Sequence, residues 1–275
     1  MEYRASEATI PMKIISLLSL LLGLATRLSA HECWLQPSAF FPEARGKVRL
    51  TIQVGMQFKG EPRPFNPSRV AALQHFFAAG REDWTAQVAA ALDFPAAFAT
   101  AGTHVVAYDS KPSLIELDAE KFHDYLREEG LDPVIAAREQ AGEVNKPGRE
   151  RYQRCIKSIV QVGGKSDGSY AVVTGQRLEL IPLGDPAAIH PGGTLRLKLL
   201  FAGQPLAGAK IRAWHRQGEQ LTTLDARSSA GGEIGFTLPL AGEWMISTVH
   251  MARVTGDTAA DWESHWGNLT LAVAN

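Results

Sequence analysis

From Lys47 to Val54, the apolar residues Val48, Leu50, Ile52 and Val54 alternate with Lys47, Arg49, Thr51 and Gln53. A period of two marks a strand with one buried face. A second strand is predicted over 103–108, where His104, Val105, Val106 and Ala107 follow the turn signal Ala101-Gly102. Between the two lie a proline-rich loop over 61–67 and the bulky Phe76, Phe77, Trp84, Val88, Leu92 and Phe94, so residues 31–110 read as a small β-sandwich. The period then changes. Phe122, Tyr125 and Leu126 fall at i, i+3 and i+4, with Asp118 at the cap and Gly130 where a C′ glycine belongs. A second helix opens with Asp132 as N-cap and Pro133 at N1 and runs to Gly142. This helical hairpin and a strand over 156–162 occupy residues 111–164. From about Gly175 alternation returns through Leu178 and Leu180, then Leu195, Leu197, Leu199 and Phe201, then strands over 210–215, 233–238, 243–251 and 268–273. The expected fold is mainly β: two antiparallel immunoglobulin-like β-sandwiches, 31–110 and 165–275, with a helical hairpin inserted between them.

The chain start carries a different pattern. Lys13 precedes an apolar run over 14–25, and the exit Thr26-Arg27-Leu28-Ser29-Ala30 ends in small residues. That is the layout of a secretory signal peptide over 1–30 with cleavage after Ala30, and the run is too short to span a bilayer. The mature chain would be periplasmic or secreted, would have no membrane span, and would begin at His31. A histidine at a free N-terminus offers an amine and an imidazole together, and an amine that titrates near 7.7 gives up its proton to a metal at little cost.

Composition narrows the partners. Lys and Arg number 28 against 29 Asp and Glu, so there is no basic field to attract nucleic acid. The two cysteines, Cys33 and Cys155, are too few for a disulfide scaffold or a zinc ribbon. Export allows them one bridge, which would close a loop of about 120 residues and constrain the unfolded chain by roughly 4 to 5 kcal/mol.

Several segments then point to a family. His31-Glu32-Cys33-Trp34-Leu35-Gln36-Pro37, Val54 to Pro62, Glu120-Lys121-Phe122 with Tyr125 to Leu131, Lys146 to Tyr152, Gly242-Glu243-Trp244, Val249-His250-Met251 and Asp261-Trp262-Glu263-Ser264 resemble an exported bacterial family. Its members carry a domain of unknown function and are often labelled as the periplasmic component of nickel or cobalt uptake. The resemblance spans essentially the whole mature chain and implies a transition metal ion, nickel or cobalt, as cargo and a membrane metal transporter as partner. The C-terminal half separately resembles the carboxypeptidase-regulatory or transthyretin-like module, through Gly203 to Ala209 and Gly242-Glu243-Trp244. Such modules bind or scaffold.

None of the eight histidines belongs to an HxH or HExxH motif, so a metal site has to be assembled in space. His31 leads the candidate ligands, with His250, His265 and Glu263 completing the set; imidazole suits nickel, cobalt, copper and zinc alike. His123 reads as a solvated helix residue, Glu128-Glu129 as a hydrated helix face, and His75, His104, His190 and His215 as structural. No GxSxG, GxxxxGK[ST], GxGxxG or CxxC occurs, and an enzyme is not expected. Three functions compete: metal binding for an uptake system, a non-catalytic module that binds protein or glycan, and a copper oxidase with an N-terminal histidine chelate.

Overall fold

The computed structural model describes residues 32–275; the signal-peptide reading and His31 lie outside the described residues. In chain order the first strands are β1 (Glu32–Pro37), β2 (Lys47–Met56), β3 (Lys59–Arg63), β4 (Val70–Phe77), β5 (Gly80–Asp83), β6 (Asp93–Ala97), β7 (Gly102–Ser110) and β8 (Ser113–Leu117). Helices α1 (Ala119–Glu128) and α2 (Asp132–Gln140) follow, then the long β9 (Gly148–Val162). The second half adds β10 (Leu178–Pro182), β11 (Gly193–Phe201), β12 (Gln204–Pro205), β13 (Lys210–Gln217), β14 (Gln220–Arg227), β15 (Glu233–Leu238), β16 (Gly242–Arg253) and β17 (Trp262–Val273). Among the described residues no helix is long and apolar enough to cross a membrane.

The strands form three sheets, and the largest takes strands from both halves. Its order is β14-β13-β16-β17-β9-β7-β4-β5, with β8 also paired to β9. β17 and β9 run parallel, with Trp262 opposite Glu150 and Thr270 opposite Ser158. A four-stranded sheet of β1, β2, β3 and β6 covers one face, here called the front, and a sheet of β10, β11, β12 and β15 covers the back. The front core joins Cys33, Leu35, Leu50 and Phe94 to Val106, Ile156 and Val160. The back core joins Leu180, Leu197 and Phe236 to Phe76, Val105, Ile159, Ile246 and Leu269. The helical hairpin packs on the front, placing Phe122, Tyr125 and Leu126 against Val249, Met251, Trp262 and Trp266.

The expectation of two separate sandwiches is thereby replaced by one shared central sheet with a layer on each face. The cause is visible in β9, which is buried without interruption from Cys155 to Val162. A strand covered on both faces loses the polar alternation that would mark it as half of a single sandwich. Within the hairpin, Gly130 takes φ 65° and closes α1 as expected, and α2 starts one residue earlier than predicted, at Asp132 with Leu131 at the cap.

Candidate functional site

The first described residues are built into the fold. β1 pairs with β2 from Glu32 opposite Gly55 to Pro37 opposite Leu50, and the Thr270 hydroxyl donates to the Leu35 carbonyl at 2.6 Å. Glu32 is 6% exposed. Burial raises its carboxyl to about 7; the negative charge of Glu128 adds to the rise, and the backbone hydrogen bond, Arg212 and Arg154 oppose it. Glu129 meets it from the end of α1. It is itself buried, and its carboxyl is pushed up to about 8 by burial and then by the charge of Glu32. Arg212 on β13 stands 3.9 Å from Glu129 and also donates to the Glu128 carbonyl. Two carboxyls sharing a low-dielectric space cannot both ionise cheaply, so they retain a proton or attract a cation.

Glu129 corrects the reading of Glu128-Glu129 as a hydrated face. It continues the buried stripe of α1 at i+4 from Tyr125 and i+3 from Leu126, and that spacing was the available signal. Nothing in the local sequence pointed to Arg212, Arg154 or Asn268, because the long-range pairing of β13, β9 and β17 is what brings them to the front face.

The other predicted ligands gather elsewhere. β17 begins at Trp262, so His265 belongs to a strand and lies directly opposite His250 on β16. Both rings pack on Phe201, at 4.2 and 5.4 Å between centroids. Strand alternation places Glu263 on the same face as His265. Burial lowers both imidazoles, His265 to about 4, and Arg177 lowers them further. The pair is thus neutral and has lone pairs to offer, but a guanidinium stands beside it. Because Phe201 belongs to the back layer, His250 and His265 face away from the strand that carries Glu32. The central sheet therefore separates them from the start of β1. Among the described residues no group of three or more His, Cys, Asp or Glu is arranged to hold a metal ion.

The same sheet separates the cysteines. Cys33 is buried in the front core, whereas Cys155 contacts Asp109 and the Arg177 and Leu178 backbone toward the back layer. Both thiols are free, so the Cys33–Cys155 bridge that export would allow is not formed. His75 and His104, read as structural, are hydrogen-bonded to one another at 2.7 Å, with Glu82 at 3.2 Å on the outer side of His75 and the Thr100 carbonyl at 3.0 Å from His104. They serve as a buried link between β4 and β7.

Residues 28–252 match the model of a family described as Domain of unknown function (DUF4198). No curated protein matches the chain. Among solved structures it is similar to the D0-D1 domain of Intimin, at 10% identity and a TM-score of 0.21, covering 86% of this chain and 96% of that one. It is also similar to three N-terminal domains of the bacteriophage RB49 Highly Immunogenic Outer Capsid protein (Hoc), at 13% identity and a TM-score of 0.19, covering 88% of this chain and 59% of that one. Likenesses at these TM-scores carry nothing about function.

Proposed function

This chain belongs to the DUF4198 family, and on that premise we propose that it is an exported protein that binds a transition-metal ion, nickel or cobalt, at the start of β1. The observation that carries this reading is the burial of Glu32 and Glu129 together, with both carboxyls held well above their ordinary range. A divalent cation replaces the proton that such a pair retains, and it removes the repulsion that burial magnifies. The α-amine and imidazole of His31, which precedes Glu32 in the sequence, would supply nitrogen once exposed by processing. His250 and His265 drop out of the ligand set because they face the opposite layer. The protein would hold the ion and pass it to a membrane transporter, without catalysis.

Calorimetry with nickel, cobalt and copper on protein that begins at His31 tests the reading. An extra residue ahead of His31 destroys the chelate, and Glu129→Gln removes a ligand oxygen; each should weaken binding by about 10- to 100-fold. Equal affinity in all three proteins would remove the site. Turnover of ascorbate by the copper-loaded protein would replace the transport reading with the oxidase one.

A further inference from the structure

A cleft of about 400 Å³ opens where the β2–β3 hairpin meets the β13–β14 hairpin, and Gln36, Gln53, Phe58, Arg216 and Glu243 line it. Its volume falls within the range of small-molecule sites, about 300 to 1,000 Å³. Lys59 pairs with Glu219 at 3.2 Å between the two hairpins. The register of β13 and β16 sets His215 opposite Trp244, so the next step along it sets Arg216 opposite Glu243. Strand alternation turns both to the front, the side on which Trp214 and Met245 pack against Trp34.

Opposite charges so placed ordinarily pair with one another. Here they are held apart. Arg216 Nε donates to the Gln57 carbonyl at 3.0 Å, and Glu243 Oε2 accepts from Gln36 Nε2 at 3.0 Å. Gln36 is itself fixed, because Trp34 Nε1 donates to its Oε1 at 3.2 Å and its Nε2 also donates to the Pro37 carbonyl at 3.3 Å. Among the described residues Glu243 has no Lys or Arg within ion-pair distance, and the terminal nitrogens of Arg216 have no acceptor. The ring beside these charges is placed at a cost. Gln57 and Phe58 form the two-residue turn between β2 and β3, at φ 54° and 56°. Such turns favour Asn and Gly, because a Cβ crowds the backbone at positive φ. The strained turn sets Phe58 T-shaped against Trp34 at 5.4 Å and on the wall of the cleft.

We propose that this cleft binds a free α-amino acid as its zwitterion, with the ammonium against Glu243, the carboxylate in the fork of Arg216 and an apolar side chain along Phe58. A guanidinium matches a planar carboxylate, and an unmated carboxylate beside it calls for a cation. A saccharide would leave both charges uncompensated, and a dicarboxylate would set a like charge against Glu243. No bond forms or breaks, and the site stands independently of the metal reading.

Calorimetric titrations with EDTA present, so that no metal mediates the contact, test it. The ligands are leucine, methionine, phenylalanine, glycine, leucinamide, isocaproate and maltose. Leucine is expected to bind at least about tenfold more tightly than leucinamide, which lacks the carboxylate, or isocaproate, which lacks the amine. Glu243→Gln should remove the advantage of leucine over isocaproate but keep that over leucinamide, and Arg216→Gln should do the converse. Phe58→Asn, which tolerates positive φ, should narrow the gap between leucine and glycine. Circular dichroism checks the fold of each variant, and should Arg216→Gln disturb the turn, the comparison of leucine with leucinamide and isocaproate on the unaltered protein carries the test. No binding of leucine, methionine or phenylalanine at millimolar concentration would overturn the proposal, as would equal affinity for leucine, leucinamide and isocaproate. Binding of maltose in place of leucine would replace the zwitterion with a saccharide.

Discussion

Burial in the back layer holds His265 at about 4, with Arg177 and His250 adding to the effect. In the unfolded chain the same ring takes up a proton near pH 6.5. Below that pH the unfolded state therefore binds more protons than the folded one, and stability falls as pH drops toward 4. Up to about 3 kcal/mol depends on this one ring. Urea denaturation at pH about 7.5, 5.5 and 4 should show the loss, and His265→Phe should flatten it. A second residue-scale test concerns Lys157 and Glu179, an ion pair at 2.9 Å with side chains 3% and 1% exposed. The Glu179 carboxylate also accepts from the Thr174 amide and hydroxyl and from the Gly175 amide. Lys157→Met leaves that carboxylate three donors, whereas Glu179→Leu strands all of them beside a buried ammonium. Glu179→Leu is expected to cost about 3 to 5 kcal/mol and Lys157→Met less, as measured by urea midpoints.

The helical hairpin shows how an element positions the site. α1 is held by Phe122, Tyr125 and Leu126, and the same face delivers Glu129 to Glu32. Gly148 opens β9 directly beneath it, where an added Cβ would clash with the Phe122 ring. Gly148→Ala should therefore lift α1 and cost about 1 to 3 kcal/mol, while Leu126→Ala costs about 2 to 5 kcal/mol by leaving a cavity. Hydrogen exchange should rise across 119–140 in both variants before it rises in β9 or β17. Much of this element was legible, because the i, i+3, i+4 spacing of its apolar residues survives burial on one side only. β2 was legible for the same reason, since alternation from Val48 to Val54 reports a half-buried strand. β9 and β17 were read too short. The first half of β9 carries Arg149, Glu150 and Arg151, and its partners Asp261, Asp257 and Ser264 lie more than a hundred residues away. Charges that are neutralised only by tertiary pairing look like loop in a local window. The candidate site was correspondingly half visible: Glu32 lies in a segment that carried the family resemblance, but Glu129 and Arg212 reach it only through the docking of α1 and the long-range pairing of β13.

At the scale of the whole molecule, the parallel β9–β17 ladder makes one folding unit out of two halves. β9 carries Ile156 and Val160 into the front core and Ile159 into the back core, so neither core is complete without it. Phe76, Val105 and Ala107, all from the first half, pack against Leu197, Phe236 and Leu269 from the second. A chain cut at the loop after β9, residues 32–164, would expose the edge of β9 that β17 covers, and would leave the back-face side chains, with Lys157 among them, in water without partners. That fragment is expected to be unfolded or aggregated, because an uncovered flat edge and an unburied apolar face have no compensating contacts. The intact chain should unfold in one transition, with coincident midpoints by tryptophan fluorescence and circular dichroism and equal calorimetric and van't Hoff enthalpies. Two separated transitions, or a soluble 32–164 fragment with native-like hydrogen-exchange protection in β7 and β9, would show that the halves fold independently and that the shared sheet contributes little to their stability.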